Sequence, residues 1–124
     1  MKTLLLDVFN ETVNTIEIED ELQAFYDRLD CSYIDIVKRK IGRKWFNVMC
    51  DDEGLFRSPQ KISAVDNYGK AMFVGNLMFF HDDGDGNLVG LSDDDIAYIK
   101  RRITKIHTKM FPDGYPALTQ CEYR

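Results

Sequence analysis

The sequence predicts one α+β domain, a mostly antiparallel sheet with two principal helices, and three observations carry that prediction. The first is Ile34–Leu55, IDIVKRKIGRKWFNVMCDDEGL, where two alternating apolar runs flank a tight turn at Ile41-Gly42. Period-two alternation suits half-buried strands, so the stretch reads as a hairpin. The second is a change of period after Asp20: Leu22, Phe25, Tyr26 and Leu29 fall at i, i+3, i+4 and i+7, on one helical face. The third is Ser92, an N-cap with Asp95 three residues on, ahead of Ile96, Ile99 and Ile103 at helical spacing.

Each element can be placed in order. Lys2–Asp7 reads as a buried first strand and Asn10-Glu11-Thr12 as a turn. Val13–Ile18 is a second strand whose alternation slips at Thr15-Ile16, which predicts a bulge. Glu19, Asp20 and Glu21 suit the positive end of a helix over about residues 20–32. Ser32–Arg39 and Lys44–Cys50 are the strands of the central hairpin, and Arg57-Ser58-Pro59-Gln60 is a loop. Short strands follow at Ile62–Val65, Ala71–Val74 and Asn76–Phe80, with a turn at Asn67-Tyr68-Gly69 and a polar loop at His81–Asn87. The second helix runs over about residues 92–107, with Lys100, Arg101, Arg102 and Lys105 at its negative end. The domain is 1–110, and 111–124, holding Pro112 and Pro116, is an irregular C-terminal tail. Phe79 and Phe80 are adjacent, so a strand must be covered on both faces or expose one ring. An exposed ring would offer a protein interface such as a homodimer.

Composition narrows the class. A chain of 124 residues fits one domain and buries about two-thirds of its unfolded surface without staples. A hydrophobic content of 44% with 30% charged residues excludes a disordered tail. The net charge of −5 argues against general nucleic-acid binding. That charge is uneven, however: acids dominate Glu17–Asp30 and Asp82–Asp95, bases Lys38–Lys44 and Lys100–Lys109. Cys31, Cys50 and Cys121 show no CxxC spacing, so reduced thiols in a cytoplasm are expected, with no disulfide, zinc or other cofactor. Leu4-Leu5-Leu6 runs straight into Asp7 and makes no export signal, and no apolar run approaches a membrane span.

The candidate functional residues lie at the hairpin and at two acidic turns. Lys38, Arg39, Lys40, Arg43 and Lys44 beside Trp45 have the charge and the ring to grip phosphate and stack a base. Alternation divides them, with Lys38 and Lys40 on one face and Arg39 on the other; a solvated hairpin with Trp45 packed inward explains the same residues. Lys100–Lys109 would add to the patch if it lay alongside. Asp51, Asp52 and Glu53, with Asp82, Asp83 and Asp85, could imitate phosphates toward a protein that binds nucleic acid. Most such runs are instead solubilising loops and helix starts. Asp83, Asp85 and Asn87 match the first three ligands of a calcium loop, but Leu88 stands where glycine is required, so a solvated loop is the reading and no metal is expected. No Gly-x-Ser-x-Gly turn, P-loop or dinucleotide glycine pattern occurs, and His81 and His107 have no evident partner.

The segments LLLDVFN, IDIVKRKIG, CDDEGL, SAVDNYGKAMFVGNL and LSDDDI, in that order and spacing, carry a resemblance. The chain resembles a family of small, largely uncharacterised proteins carried by bacterial phages, plasmids and conjugative elements. The resemblance implies an accessory gene of a mobile element, where inhibitors of host defence are common, and it transfers no activity residue by residue. The leading expectation is therefore a non-enzymatic inhibitor that binds a host defence protein, a CRISPR or restriction nuclease. Its contacts would be Asp51, Asp52, Glu53, Asp82, Asp83, Asp85, Lys38, Arg39, Arg43 and Trp45. One alternative is a protein that sequesters a nucleotide signal, with Arg39, Arg43 and Arg57 on the phosphates and Trp45 or Tyr68 on the base. Another is a metal-dependent hydrolase working through Asp83 or Asp52.

Overall fold

Strand β1 (Lys2–Asp7) lies between β2 (Thr12–Glu17) and β7 (Leu77–Asp82), antiparallel to both. The computed structural model describes residues 1–56 and 60–124, and in it two sheets and two short helices form one α+β domain. The larger sheet has the order β11-β3-β4-β7-β1-β2, with β3 at Ile34–Ile41, β4 at Lys44–Asp51 and β11 at Cys121–Glu122. A two-residue strand β8 (Leu88–Val89) pairs with the end of β7. The smaller sheet has the order β6-β5-β10-β9, built from Ala71–Val74, Ile62–Val65, Tyr115–Leu118 and Ile103–Ile106.

Alternation along the central strands feeds two separate cores. Leu4, Leu6, Phe46, Val48, Leu77 and Phe79 face the smaller sheet and the second helix. Leu5, Met49, Met78 and Phe80 face the first helix, α1 (Leu22–Leu29), which supplies Phe25 and Leu29. Phe79 and Phe80 are thus both fully buried, each in its own core. The strand is covered on both faces, and no exposed ring there supports a homodimer interface. The slip in β2 has the same cause. Val13 packs toward one core and Ile16 toward the other, while the β1–β2 register runs without the expected bulge.

Three expectations need correction. The first helix is shorter than 20–32, and Asp30, in the left-handed region at φ 54, ends it. The second helix, α2 (Asp93–Lys100), starts as the sequence predicts, with Ser92 Oγ accepting from the Asp95 N–H at 3.1 Å. It does not run to 107. The Arg102 carbonyl accepts from both the backbone N–H and the hydroxyl of Thr119, each at 2.8 Å, and is drawn out of any helical ladder. The β-branched run Ile103-Thr104 then enters β9. Residues 111–124 are not an irregular tail either, for they supply β10 to the smaller sheet and β11 to the larger one. The corner between these strands holds Gln120 at φ 58, a left-handed conformation that lets the chain change sheets.

Because the two rings sit in different cores, Phe79→Ala and Phe80→Ala should each cost about 3–5 kcal/mol in urea unfolding. A loss under about 1 kcal/mol in either would mean that its face is not packed as described.

Candidate functional site

The β3–β4 hairpin is in register from Ile34 opposite Asp51 to Ile41 opposite Lys44, so its pleat decides where each candidate points. Ile36, Lys38, Lys40, Trp45 and Asn47 share the face of Met49, the α1 side. Ile34 packs with α1, but Ile36 and Trp45 stay 41% and 45% exposed, so Trp45 is not packed inward. The Asp82 carboxylate joins this face, accepting from Asn47 Nδ2 at 2.7 Å and pairing with Lys38 Nζ at 3.3 Å. Those contacts, Asn47 first, hold its carboxyl below the usual carboxylate range. Lys38, Trp45 and Asp82 are therefore brought together on one sheet surface.

Asp83 serves its own loop. Its carboxylate accepts from Asn87 Nδ2 at 2.8 Å and from the backbone N–H groups of Asp85 and Asn87 at 2.8 and 3.1 Å. The Asn87 side chain leads in lowering its pKa. Among the described residues no group of three or more His, Cys, Asp or Glu side chains is placed to hold a metal ion.

The acidic turn lies at the other end of β4. Asp51 is buried and its carboxylate accepts from the Glu53 N–H at 2.9 Å, while the Asp52 N–H donates to the Tyr33 carbonyl at 2.9 Å. Six residues of strand separate Asp51 from Trp45, roughly 20 Å at 3.3 Å per residue. The ten expected contacts therefore do not form one surface. Asp35, Asp51 and Asp52 line a cleft of about 310 Å³ with Leu55, Met72 and Phe73, between the hairpin and β6.

The nucleotide-binding set does not converge. Arg39 points to the inter-sheet side, its guanidinium carbon 5.6 Å from the Phe73 ring centroid and 4.4 Å from that of Tyr123. Trp45 is on the opposite face, and Tyr68 sits on the β5–β6 turn, 94% exposed. Arg57 lies outside the described residues.

Sequence reasoning missed a buried carboxylate centre. Asp95 pairs with Lys44 Nζ at 2.8 Å through one oxygen and with His81 Nε2 at 2.9 Å through the other. His81 stacks on Phe46 with centroids 4.9 Å apart. Burial would raise the Asp95 pKa, yet Lys44, His81 and Ser92 together hold it down to about 2. The cluster ties β4 and β7 to α2. Among the described residues no hydroxyl or thiol hydrogen-bonds to His81, so the His–Asp pair holds structure without an adjacent nucleophile. The available signal was Asp95 as the third residue after the cap, which accounts for its backbone but not its side chain.

The two basic runs also meet, at Tyr98 on α2. Lys44 Nζ lies 5.0 Å from the ring centroid, Arg102 and Arg101 guanidinium carbons 3.7 and 6.0 Å, and the Arg43 N–H donates to its hydroxyl at 2.6 Å.

Two predictions follow from this chemistry. Asp95 is depressed from 3.8 to about 2, so it adds stability that is present above pH 4 and lost as pH falls toward 2, about 2 kcal/mol in all. Asp95→Asn should lower urea stability at neutral pH by about that much and flatten the acid loss, and an unchanged midpoint would contradict the pairing. Burial pushes the Cys50 and Cys121 thiols up to about 12, whereas Cys31 is half-buried. Iodoacetamide under native conditions should modify Cys31 and spare the other two until the protein unfolds; labelling of Cys50 in the folded protein would contradict its burial.

No helix among the described residues is long and apolar enough to cross a membrane. No curated protein and no solved structure matches the chain. Residues 1–104 match a family described as a domain of unknown function. That match takes in both helices, the hairpin, the acidic turn and both basic runs up to Thr104, and the chain belongs to the DUF3846 family.

Proposed function

We propose that the protein is a non-enzymatic product of a mobile genetic element that inhibits a bacterial defence system in the host cytoplasm. It does so by binding a host defence protein, a CRISPR or restriction nuclease. One observation supports the binding half of this reading. The β3–β4 surface beyond α1 leaves Trp45 and Ile36 41–45% exposed on a rigid sheet, edged by Lys38 and Lys40 and by the Asp82 loop. An exposed tryptophan on a fixed platform, ringed by charge, is the usual anchor of a protein interface. The defence half rests on the resemblance of the quoted segments to proteins of phages and plasmids.

Fewer residues make contact on this reading than the sequence alone suggests. Lys38, Trp45, Asp82 and the neighbouring loop residue Asp85 form the interface. Asp51, Asp52 and Glu53, roughly 20 Å along β4, do not. Asp83 contributes by shaping the loop.

The test is capture of a nuclease from lysate of a defence-equipped host, with inhibition of plasmid interference as the readout. Trp45→Ala should weaken capture by more than about tenfold without loss of fold, since truncating a central aromatic costs about 2 kcal/mol or more. Alanine at 51–53 should leave capture unchanged. Equal activity of Trp45→Ala and wild type would refute this interface, and failure to relieve or impose any interference phenotype would refute the inhibitor reading.

A further inference from the structure

Tyr98 collects cations from two segments far apart in sequence. The turn that delivers Arg43 and Lys44 depends on Gly42, at φ 61, whose N–H donates to the Gln120 carbonyl at 3.0 Å. A Cβ at that position would collide with Arg102 Nε and the Tyr98 hydroxyl, so hairpin and helix end are in close contact. Three cationic side chains, Lys44, Arg101 and Arg102, lie around one ring, and the backbone N–H of Arg43 donates to its hydroxyl, so a fourth cation leaves from the adjoining turn.

Three of the four have no counter-charge in the described fold. Lys44 has Asp95, whose second oxygen is taken by His81. Arg43, Arg101 and Arg102 pair with no carboxylate among the described residues, although the chain carries 21 acidic residues against 16 basic. Arg102 spends Nη1 on the Tyr98 carbonyl at 2.9 Å, and its Nε is buried without a partner. Like charges held this close repel, and an anion seated among them relieves the repulsion while accepting from the planar guanidinium forks. Arg102 already lies over the Tyr98 ring, so the ring orients cations and is no platform for a base.

We propose that Lys44, Arg101 and Arg102, gathered on Tyr98, together with Arg43 on the adjoining turn, form a site for a phosphate group. Arg43 and Arg101 are exposed and make the first contacts. Lys44, held by Asp95, and Arg102, held by the Tyr98 carbonyl, supply fixed positive charge behind them. The phosphate comes either from a free nucleotide or from a nucleic-acid backbone. The site is separate from the Trp45 surface, which belongs to the opposite face of the sheet, and either can fail without the other.

The experiment measures two probes at low salt on the full chain. ATP is followed by calorimetry, and a fluorescein-labelled single strand of about 20 nucleotides by anisotropy. The site variant is Arg43→Glu with Arg101→Glu, two exposed side chains with no hydrogen bond among the described residues. The control is Lys70→Glu with Lys109→Glu, the same change of charge at exposed positions elsewhere. The site variant should lose more than about tenfold in affinity and the control less than about twofold. Binding of ATP assigns a free nucleotide; binding of the strand, falling steeply with salt, assigns a backbone. Equal losses in variant and control would show only net-charge attraction and overturn the site, as would no binding of either probe at millimolar ATP and micromolar strand.

Discussion

Leu77, Met78, Phe79 and Phe80 are consecutive and all fully buried, and a pleated strand can satisfy that only between two apolar layers. The rest of the architecture answers to this constraint. One face of the larger sheet needs α1, and the other needs both α2 and a second sheet, because one short helix cannot cover the row from Leu4 to Phe79. Covering the centre from both sides leaves Arg43, Lys44 and Trp45 at the turn of the β3–β4 hairpin exposed to solvent. Its functional candidates are displayed there because the cores have no room for them.

The hairpin is held in place by polar contacts. Asp95 grips Lys44 and His81, Gly42 bonds Gln120, and the Arg43 N–H caps the Tyr98 hydroxyl. Each joins segments separated along the chain, and the two Asp95 contacts are partly buried, where hydrogen bonds to charged groups are stronger than in water. Such ties fix the angle at which the cationic tip meets α2.

Much of the fold was readable because burial and period agree. Alternation located both hairpin strands, short apolar runs located β1, β5, β6 and most of β7, and the Ser92 cap located the start of α2. The end of α2 was not readable, since Ile103 fits the helical spacing of Ile96 and Ile99 as well as it fits a strand. The choice is made by Thr119, far along the chain. Pro116 disguised β10, as proline demotes a strand. It is tolerated because β10 pairs with β5 at Leu118 and Ala64, leaving the proline nitrogen no ladder bond to supply there. For the candidate site, alternation correctly separated Arg39 from Lys38 and Lys40. The meeting of the two basic runs and the Asp95 centre depend on how α2 docks on the sheet, which local pattern does not encode.

The chain's last crossing has a bearing on how its boundaries are drawn. The family match ends at Thr104, yet β10 fills the middle of the smaller sheet and β11 pairs with Lys40 and Ile41 at the end of β3. A chain stopped at that residue would leave β5 and the remnant of β9 with open rows of N–H and C=O groups. Open strand edges recruit strands from other molecules. The final segment thus completes the smaller sheet by joining β5 to β9, a contribution invisible from the matched residues alone.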